Sequence, residues 1–213
     1  IANVSAQAIS GIVDIREPSN GLIGGLADLP DLGPLSIQAN ATGPRNAQAI
    51  VMALAAGALR ADARGTVDLV TRRAQLDLTA SAPAMAPGPG IAWQSLALEG
   101  HMHGSFEKPD LDAHLEISQP RDDGGTAQSL KADIEGHGGN AQVSAAIADL
   151  KWQGLPDDFF GGAPISLKAD VTFGTADIPV DFQLSHPLAT AKGHATLGAG
   201  VKGTATLTLH TLA

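Results

Sequence analysis

The feature that most constrains this chain is an alternation of apolar and polar residues with a period of two, which recurs along nearly its whole length. A β-strand points successive side chains to opposite faces, so this period predicts strands with one apolar and one polar face. Most of the alternating segments end in Gly, Pro, Asp or Asn, which favour turns. The sequence therefore predicts an all-β fold, a long antiparallel meander. The clearest alternating segments are 35–42, 74–80, 111–118, 130–135, 165–173, 180–184 and 204–209.

The strands also repeat as larger units. Similar sequences begin at Ser95, Ser129 and Ser166, and each predicts a strand, a glycine turn and a second strand. An earlier copy begins at Leu35, and its second half is the alanine-rich segment 46–69. Residues 47–56 suit a helix by propensity, whereas Gly57 and the alternation after it suit a hairpin. We favour strands here and keep the helix as the alternative.

The first 34 residues are predicted to form a separate region, with a leading strand or strands and a Gly/Pro-rich amphipathic loop. Segment 18–34 carries Leu22, Ile23, Leu26 and Leu29 at near-helical spacing, which predicts a short amphipathic helix. Residues 35–213 are predicted to form the repetitive β-segment, interrupted at 82–91 and 155–164. The chain begins without a methionine or a signal sequence, so we expect an internal fragment of a longer protein.

Composition excludes several classes of function. Aromatic residues make up only 3% of the 213 residues and the net charge is −9, so a nucleic-acid partner is not expected. The chain has no cysteine, so it has no disulfide and no thiolate metal site. Its longest run of apolar residues and glycine, 49–59, is well short of the roughly 20 residues of a membrane-spanning helix.

No sequence pattern points to catalysis. Residues 198–203 spell the dinucleotide-binding pattern G-x-G-x-x-G, but a strand-like alternation follows where a helix is needed, so a glycine-rich hairpin turn is predicted. His101 and His103 would share one face of a strand without an identifiable third metal ligand. We interpret them, and the similarly placed His137 and His194, as solvent-facing polar residues. The prediction is no enzyme, with no catalytic residue, metal site or cofactor.

Several motifs in a fixed order resemble those of the TamB family and the wider AsmA-like superfamily. They are G-T-V-D-L at 65–69, A-Q-L-D-L-T-A at 74–80, G-I-A-W-Q-S-L-A-L-E-G at 90–100 and S-L-K-A-D-I-E-G at 129–136. A Pro-rich crossing separates the second from the third. The likeness extends from about Leu35 to the end of the chain.

The resemblance implies a periplasmic protein of Gram-negative bacteria, anchored in the inner membrane through a segment not present here. It implies a sheet curled into an apolar-lined trough, the β-taco, that carries phospholipid acyl chains toward the outer membrane. It also implies support for the assembly of outer-membrane proteins such as autotransporters. The implied protein partner is an outer-membrane barrel of the Omp85 family, like TamA, contacted through another part of the chain.

The residues themselves leave the use of the apolar face open. A one-sided meander can close as a barrel, stack as a sandwich or curl into a groove. Small inward residues leave room for acyl chains, whereas a structural or adhesin-like β-repeat with a dry packed core is the alternative. The phase of the alternation predicts a hydrophobic groove lined by Leu96, Leu98, Leu111, Leu115, Ile117, Leu130, Ile134, Ile165, Leu167, Val171, Leu207 and Leu209.

Overall fold

A computed structural model describes residues 8–19, 21, 32–88, 90–172, 177–198 and 200–210. These residues contain seventeen strands and no helix, which confirms the all-β prediction. The strands are β1 Ala8–Glu17, β2 Leu35–Pro44, β3 Gln48–Ala56, β4 Leu59–Asp68, β5 Arg73–Ala82, β6 Met85–Gly88, β7 Ile91–Trp93, β8 Ser95–Ser105, β9 Pro109–Ser118, β10 Gly125–Thr126, β11 Ser129–His137, β12 Asn140–Ala148, β13 Lys151–Trp152, β14 Ile165–Thr172, β15 Ile178–His186, β16 Ala189–Leu197 and β17 Val201–Leu209.

Thirteen of the strands form one antiparallel sheet in the order β1-β2-β3-β4-β5-β8-β9-β11-β12-β14-β15-β16-β17. Each strand pairs with the next strand of the sheet along the chain, so the meander is confirmed. The sheet is open, because β1 and β17 are its two edge strands and do not pair with each other. Two-stranded sheets, β6-β7 and β10-β13, make up the remainder.

The alanine-rich segment forms two strands rather than a helix. β3 and β4 make a hairpin, with Ala56 opposite Leu59. Gly57 occupies the turn with φ of 57°, a left-handed conformation that glycine adopts without steric cost. The hairpin reading of this segment is therefore confirmed. The helix predicted within 18–34 lies largely outside the described residues.

The predicted repeat units also correspond to structure. The units at Ser95, Ser129 and Ser166 are the hairpins β8-β9, β11-β12 and β14-β15. A turn joins β16 to β17 at the G-x-G-x-x-G sequence, where the Gly198 N–H donates to the Gly200 carbonyl, and the second strand follows directly. The pattern is thus a hairpin turn and not a nucleotide-binding loop.

The two rims of the sheet differ in how they connect the strands. The long connections 83–94, 119–128 and 149–164 all lie at one rim, which we call the loop rim. At the opposite rim, the turn rim, short turns such as 69–72, 106–108 and 138–139 join the strands. The long connections bond to one another. Ala92 and Arg121 exchange two backbone hydrogen bonds, and the Gln153 N–H donates to the Gly124 carbonyl.

The sheet has almost no conventional core. The buried apolar residues of the described chain are Ala56, Ala74, Ala82 and Ala141, and no large side chain is fully buried. The chain exposes 13749 Å², whereas a compact protein of 21.6 kDa exposes about 9,200 Å². The strands contact their hydrogen-bonded neighbours and make few other contacts. One face of the sheet is therefore apolar without being covered by a second layer of the described chain.

Candidate functional site

The candidate site is the apolar face of the thirteen-stranded sheet. Residues that lie directly opposite each other in an antiparallel sheet point to the same side, so the strand register defines rows that run across the strands. We describe three neighbouring rows, the central, second and third rows, in order from the loop rim to the turn rim. Each row takes one residue from every strand of the sheet.

No polar residue occurs in any of these three rows. The central row is Ile15, Ile37, Leu54, Ala61, Ala80, Leu98, Leu115, Ala132, Ala145, Leu167, Leu184, Ala191 and Leu207. The second row is Val13, Ala39, Met52, Ala63, Leu78, Gly100, Ala113, Ile134, Val143, Ala169, Phe182, Gly193 and Ala205. The third row is Gly11, Ala41, Ile50, Gly65, Leu76, Met102, Leu111, Gly136, Ala141, Val171, Val180, Ala195 and Gly203.

A shorter apolar row lies between the central row and the loop rim. It contains Leu96, Ile117, Leu130, Ile147 and Ile165 on five consecutive strands of the sheet. We call it the rim row. It places the apolar face directly beside the long connections.

Large and small residues exchange places between neighbouring hairpins. In β8-β9, the central row has Leu98 and Leu115 while the second row has Gly100 and Ala113. In β11-β12 the order is reversed, with Ala132 and Ala145 in the central row and Ile134 and Val143 in the second row. In these two hairpins the large residues of the apolar face therefore lie at different distances from the rims.

Glycines on this face accommodate large neighbours. A Cβ on Gly136 would lie 2.7 Å from Cγ of Leu111, and a Cβ on Gly193 would lie 2.6 Å from the ring of Phe182. Each large side chain therefore lies across the adjacent strand instead of projecting outward. The apolar face is therefore flat at these positions, because the large side chains do not protrude from it.

All twelve residues predicted for the groove lie on this face. Ten of them are half-buried, whereas Leu207 and Leu209 on the edge strand β17 are 64% and 75% exposed. Leu98, Leu115, Leu167 and Leu207 lie in the central row, Ile134 in the second, and Leu111 and Val171 in the third. Leu96, Ile117, Leu130 and Ile165 belong to the rim row, and Leu209 lies opposite Ala189 on the same face.

The sequence analysis missed the part of the face that precedes Leu96. Ile37, Leu54, Leu76 and Leu78 continue the same rows across β2 to β5. Ile37 lies in the alternating segment 35–42, and Leu76 and Leu78 lie in segment 74–80, so the signal was present for these three residues. Met102 and Phe182 were also missed, although each stands between polar neighbours.

The opposite face is largely polar and carries paired charges, although Ile12 and Val51 are also exposed on it. Nδ1 of His101 donates to Asp77 at 2.7 Å, and Nδ1 of His114 donates to Asp133 at 2.6 Å. His194 bonds Asp181 in the same way at 2.9 Å. Five of the seven histidines lie on this face beside an aspartate of a neighbouring strand.

Asp110 is shared by two histidines. Nδ1 of His137 lies 2.6 Å from one carboxylate oxygen, and Nε2 of His103 lies 3.2 Å from the other. The His137 hydrogen bond, with a second from the Gly138 N–H, lowers the pKa of Asp110 below its ordinary 3.8. His101 and His103 each lie beside an aspartate on the polar face and remain exposed to solvent. Within the described ranges, no cluster of three or more metal-ligating side chains occurs.

The arrangement offers an apolar surface for a flexible apolar ligand, with the charges kept on the other side of the sheet. No helix in the part of the chain that the structure describes is long and apolar enough to cross a membrane. Comparisons of the chain with protein-family models, with curated proteins and with solved structures gave no match.

Proposed function

We propose that this segment binds the acyl chains of phospholipids on its apolar face and passes them along the sheet. The sheet would curve around the chains as a trough, as the resemblance to the TamB family and the AsmA-like superfamily implies. In that setting the segment bridges the periplasm between the two membranes and supports outer-membrane protein assembly. The resemblance also implies a membrane anchor and a contact with an Omp85-family barrel, both outside this segment.

One observation carries the proposal. Three adjacent rows cross all thirteen strands without a polar side chain, and no large side chain in them is fully buried. Monomeric proteins rarely leave so large an apolar surface uncovered unless it binds something. Acyl chains fit this surface because it offers no hydrogen-bonding side chain in these rows, and a polar ligand placed there would lose its bonds to water.

The observation also bears on the alternative, a structural or adhesin-like β-repeat with a dry core. A dry core needs a second layer to cover the apolar face. Alanines are the buried apolar residues in the described ranges, and the leucines and isoleucines of the rows are half-buried or exposed. We therefore favour the lipid-binding function over the structural one.

Native mass spectrometry after detergent-free purification tests the proposal. Leu115 and Glu116 are adjacent in β9 and point to opposite faces, so Leu115→Asp and Glu116→Lys form a matched pair. We expect phospholipid to co-purify with the unmodified protein and with Glu116→Lys. Leu115→Asp should lose it, because a charge on the apolar face is desolvated by an acyl chain. Circular dichroism checks that both variants keep their strands.

Two results would contradict the proposal. The first is an unmodified protein that carries no phospholipid and takes none up from vesicles. The second is a folded Leu115→Asp variant that carries as much phospholipid as Glu116→Lys.

A further inference from the structure

An open cavity of about 500 Å³, lined mainly by polar and charged residues, lies at the loop rim. It is formed where connections 83–94, 119–128 and 149–164 meet. Its lining includes Trp93, Gln94, Gln119, Arg121, Gln128, Asp149 and Lys151. Sequence analysis did not identify this site, because it draws on three connections that are distant in sequence.

The cavity lies at the ends of four strands that carry the rim row, β8, β9, β11 and β12. Gln94 stands two residues before Leu96, and Gln128 stands two residues before Leu130. In the same way, Gln119 follows Ile117 and Asp149 follows Ile147 by two residues. The backbone ladder continues through these positions, because Gln94 N–H donates to Ser118 and Gln128 N–H donates to Ala148. Each strand thus changes from an apolar residue to an amide or carboxylate at the same level of the sheet.

The backbone of the cavity is held in place by hydrogen bonds. Arg121 exchanges two with Ala92, at 2.8 and 3.0 Å, and the Gln119 N–H donates to Gln128 at 2.9 Å. The indole N–H of Trp93 donates to the Pro83 carbonyl at 3.1 Å, which fixes the ring. Gln119 and Asp149 both have φ of 47°, a conformation that non-glycine residues seldom adopt and that concentrates at functional sites.

The charges of the cavity match a zwitterion. It carries two cations, Arg121 and Lys151, and one carboxylate, Asp149. The Arg121 guanidinium has no hydrogen bond or ion pair to a side chain within the described ranges, and Lys151 reaches only the exposed Asp157 at 3.4 Å. A guanidinium forks onto a phosphate with two parallel hydrogen bonds, and a carboxylate beside an aromatic ring suits an ammonium group.

We propose that this cavity binds the zwitterionic headgroup of a glycerophospholipid whose acyl chains lie on the apolar face. Arg121 and Lys151 hold the phosphodiester, and Asp149 holds the ammonium group near Trp93. The glutamines bond the ester and glycerol oxygens at the point where the rim row begins. This inference rests on the proposed function, and it adds a fixed position for the headgroup on the loop rim.

Trp93 makes the cavity measurable by fluorescence. The chain has two tryptophans, so Trp152→Phe leaves Trp93 as the single reporter. We would titrate this protein with dihexanoyl phosphatidylethanolamine, with dihexanoylglycerol, which lacks the headgroup, and with glycerophosphoethanolamine, which lacks the chains. The phospholipid should bind about tenfold or more tighter than dihexanoylglycerol, because charged hydrogen bonds to the phosphate are added.

Removing the two cations should abolish that preference. Arg121→Gln/Lys151→Gln should bind the phospholipid as weakly as dihexanoylglycerol. Arg64→Gln/Lys192→Gln, which removes two cations from the polar face, should keep the full preference. Asparagine tolerates the left-handed backbone at position 149 as aspartate does. Asp149→Asn should therefore weaken the binding of phosphatidylethanolamine without weakening the binding of phosphatidylglycerol. If the double variant unfolds, added salt should reduce the preference of the unmodified protein instead.

The remaining outcomes are decisive against one proposal or both. Equal binding of phospholipid and dihexanoylglycerol overturns the headgroup site and leaves the acyl-chain function standing. Binding of glycerophosphoethanolamine as tight as the phospholipid shows a site for a free phosphate ester, unconnected to the apolar face. Absence of binding by any chain-bearing ligand overturns the proposed function and this inference with it.

Discussion

The two faces of the sheet differ in the polarity of their residues and in how their side chains pair, although every strand contributes residues to both. On the apolar face, residue size varies from glycine to phenylalanine while polarity does not vary at all across three rows. On the polar face, individual pairs matter, as with His101 and Asp77 or Lys131 and Glu116. The apolar face is therefore uniform in polarity along the sheet, whereas the polar face depends on local contacts between neighbouring strands.

The largest expected difference between the faces comes from an added charge. Ile134 lies in the second row between Ala113 and Val143, and Ser144 is exposed on the polar face of the next strand. We expect Ile134→Arg to weaken acyl-chain binding by at least about tenfold, because the guanidinium must be desolvated. Ser144→Arg adds the same side chain to the other face and should bind normally.

Photo-crosslinking with a phospholipid that carries a diazirine in its acyl chain measures this difference. Urea unfolding provides the control for stability. Equal crosslinking of both folded arginine variants would show that the two faces do not differ in ligand binding.

A smaller effect is expected from added bulk on the apolar face. A Cβ on Gly193 would clash with the Thr204 carbonyl oxygen and lie 2.6 Å from the Phe182 ring, whereas a Cβ on Gly11 meets nothing within 4 Å. Gly193→Ala should therefore destabilise the protein by about 1–3 kcal/mol. Gly11→Ala lies on the same face and should be neutral or stabilising by up to about 1 kcal/mol.

Urea denaturation midpoints measure both glycine variants. Because both residues lie on the apolar face, the pair separates the effect of packing from the effect of the face itself. Equal midpoints for the two variants would mean that Phe182 does not rest over Gly193 in solution.

The sequence was informative about the faces because alternation and phase are local. The side of each strand on which Leu115 or Ile134 lies follows from its polar neighbours, and the long segments with strict alternation define the register. Segment 47–56 was harder, because alanine is compatible with both helix and strand, and the choice depended on Gly57 and on the pairing with β2 and β4.

Pairing across the sheet could not be predicted in the same way. His101 meets Asp77 and Asp112 only because β8 lies between β5 and β9, and no spacing within one strand reveals that contact. The loop-rim cavity depends on still longer connections. Arg121, Gln94 and Lys151 come together because three loops bond to each other, whereas their proline and glycine content predicted only interruptions of the alternation.

The smallest effect concerns the pH dependence of the polar face. The hydrogen bond to Asp77 raises the pKa of His101 above its ordinary 6.5, and the carboxylates of Asp112 and Glu99 act in the same direction. His101 also has His103 two residues along its strand. A raised pKa in the folded state means that the pair stabilises the protein fully below pH 6.5, and that this contribution is lost as the pH rises through the folded-state pKa.

Asp77→Asn should remove this contribution. The fall of its urea midpoint below that of the unmodified protein should be greater at pH 5.5 than at pH 8.5, since His101 loses its charge as the pH rises through its folded-state pKa. Asp62→Asn is the matched control, because Asp62 is an exposed carboxylate on the same face without a histidine opposite it. Its midpoint should differ from that of the unmodified protein by the same small amount at both pH values. The shift for Asp77→Asn is expected to be slight, because both partners are exposed to solvent and salt screens the pair. A difference that is larger at pH 8.5 than at pH 5.5 would reverse the sign and show that the charged pair does not stabilise the polar face.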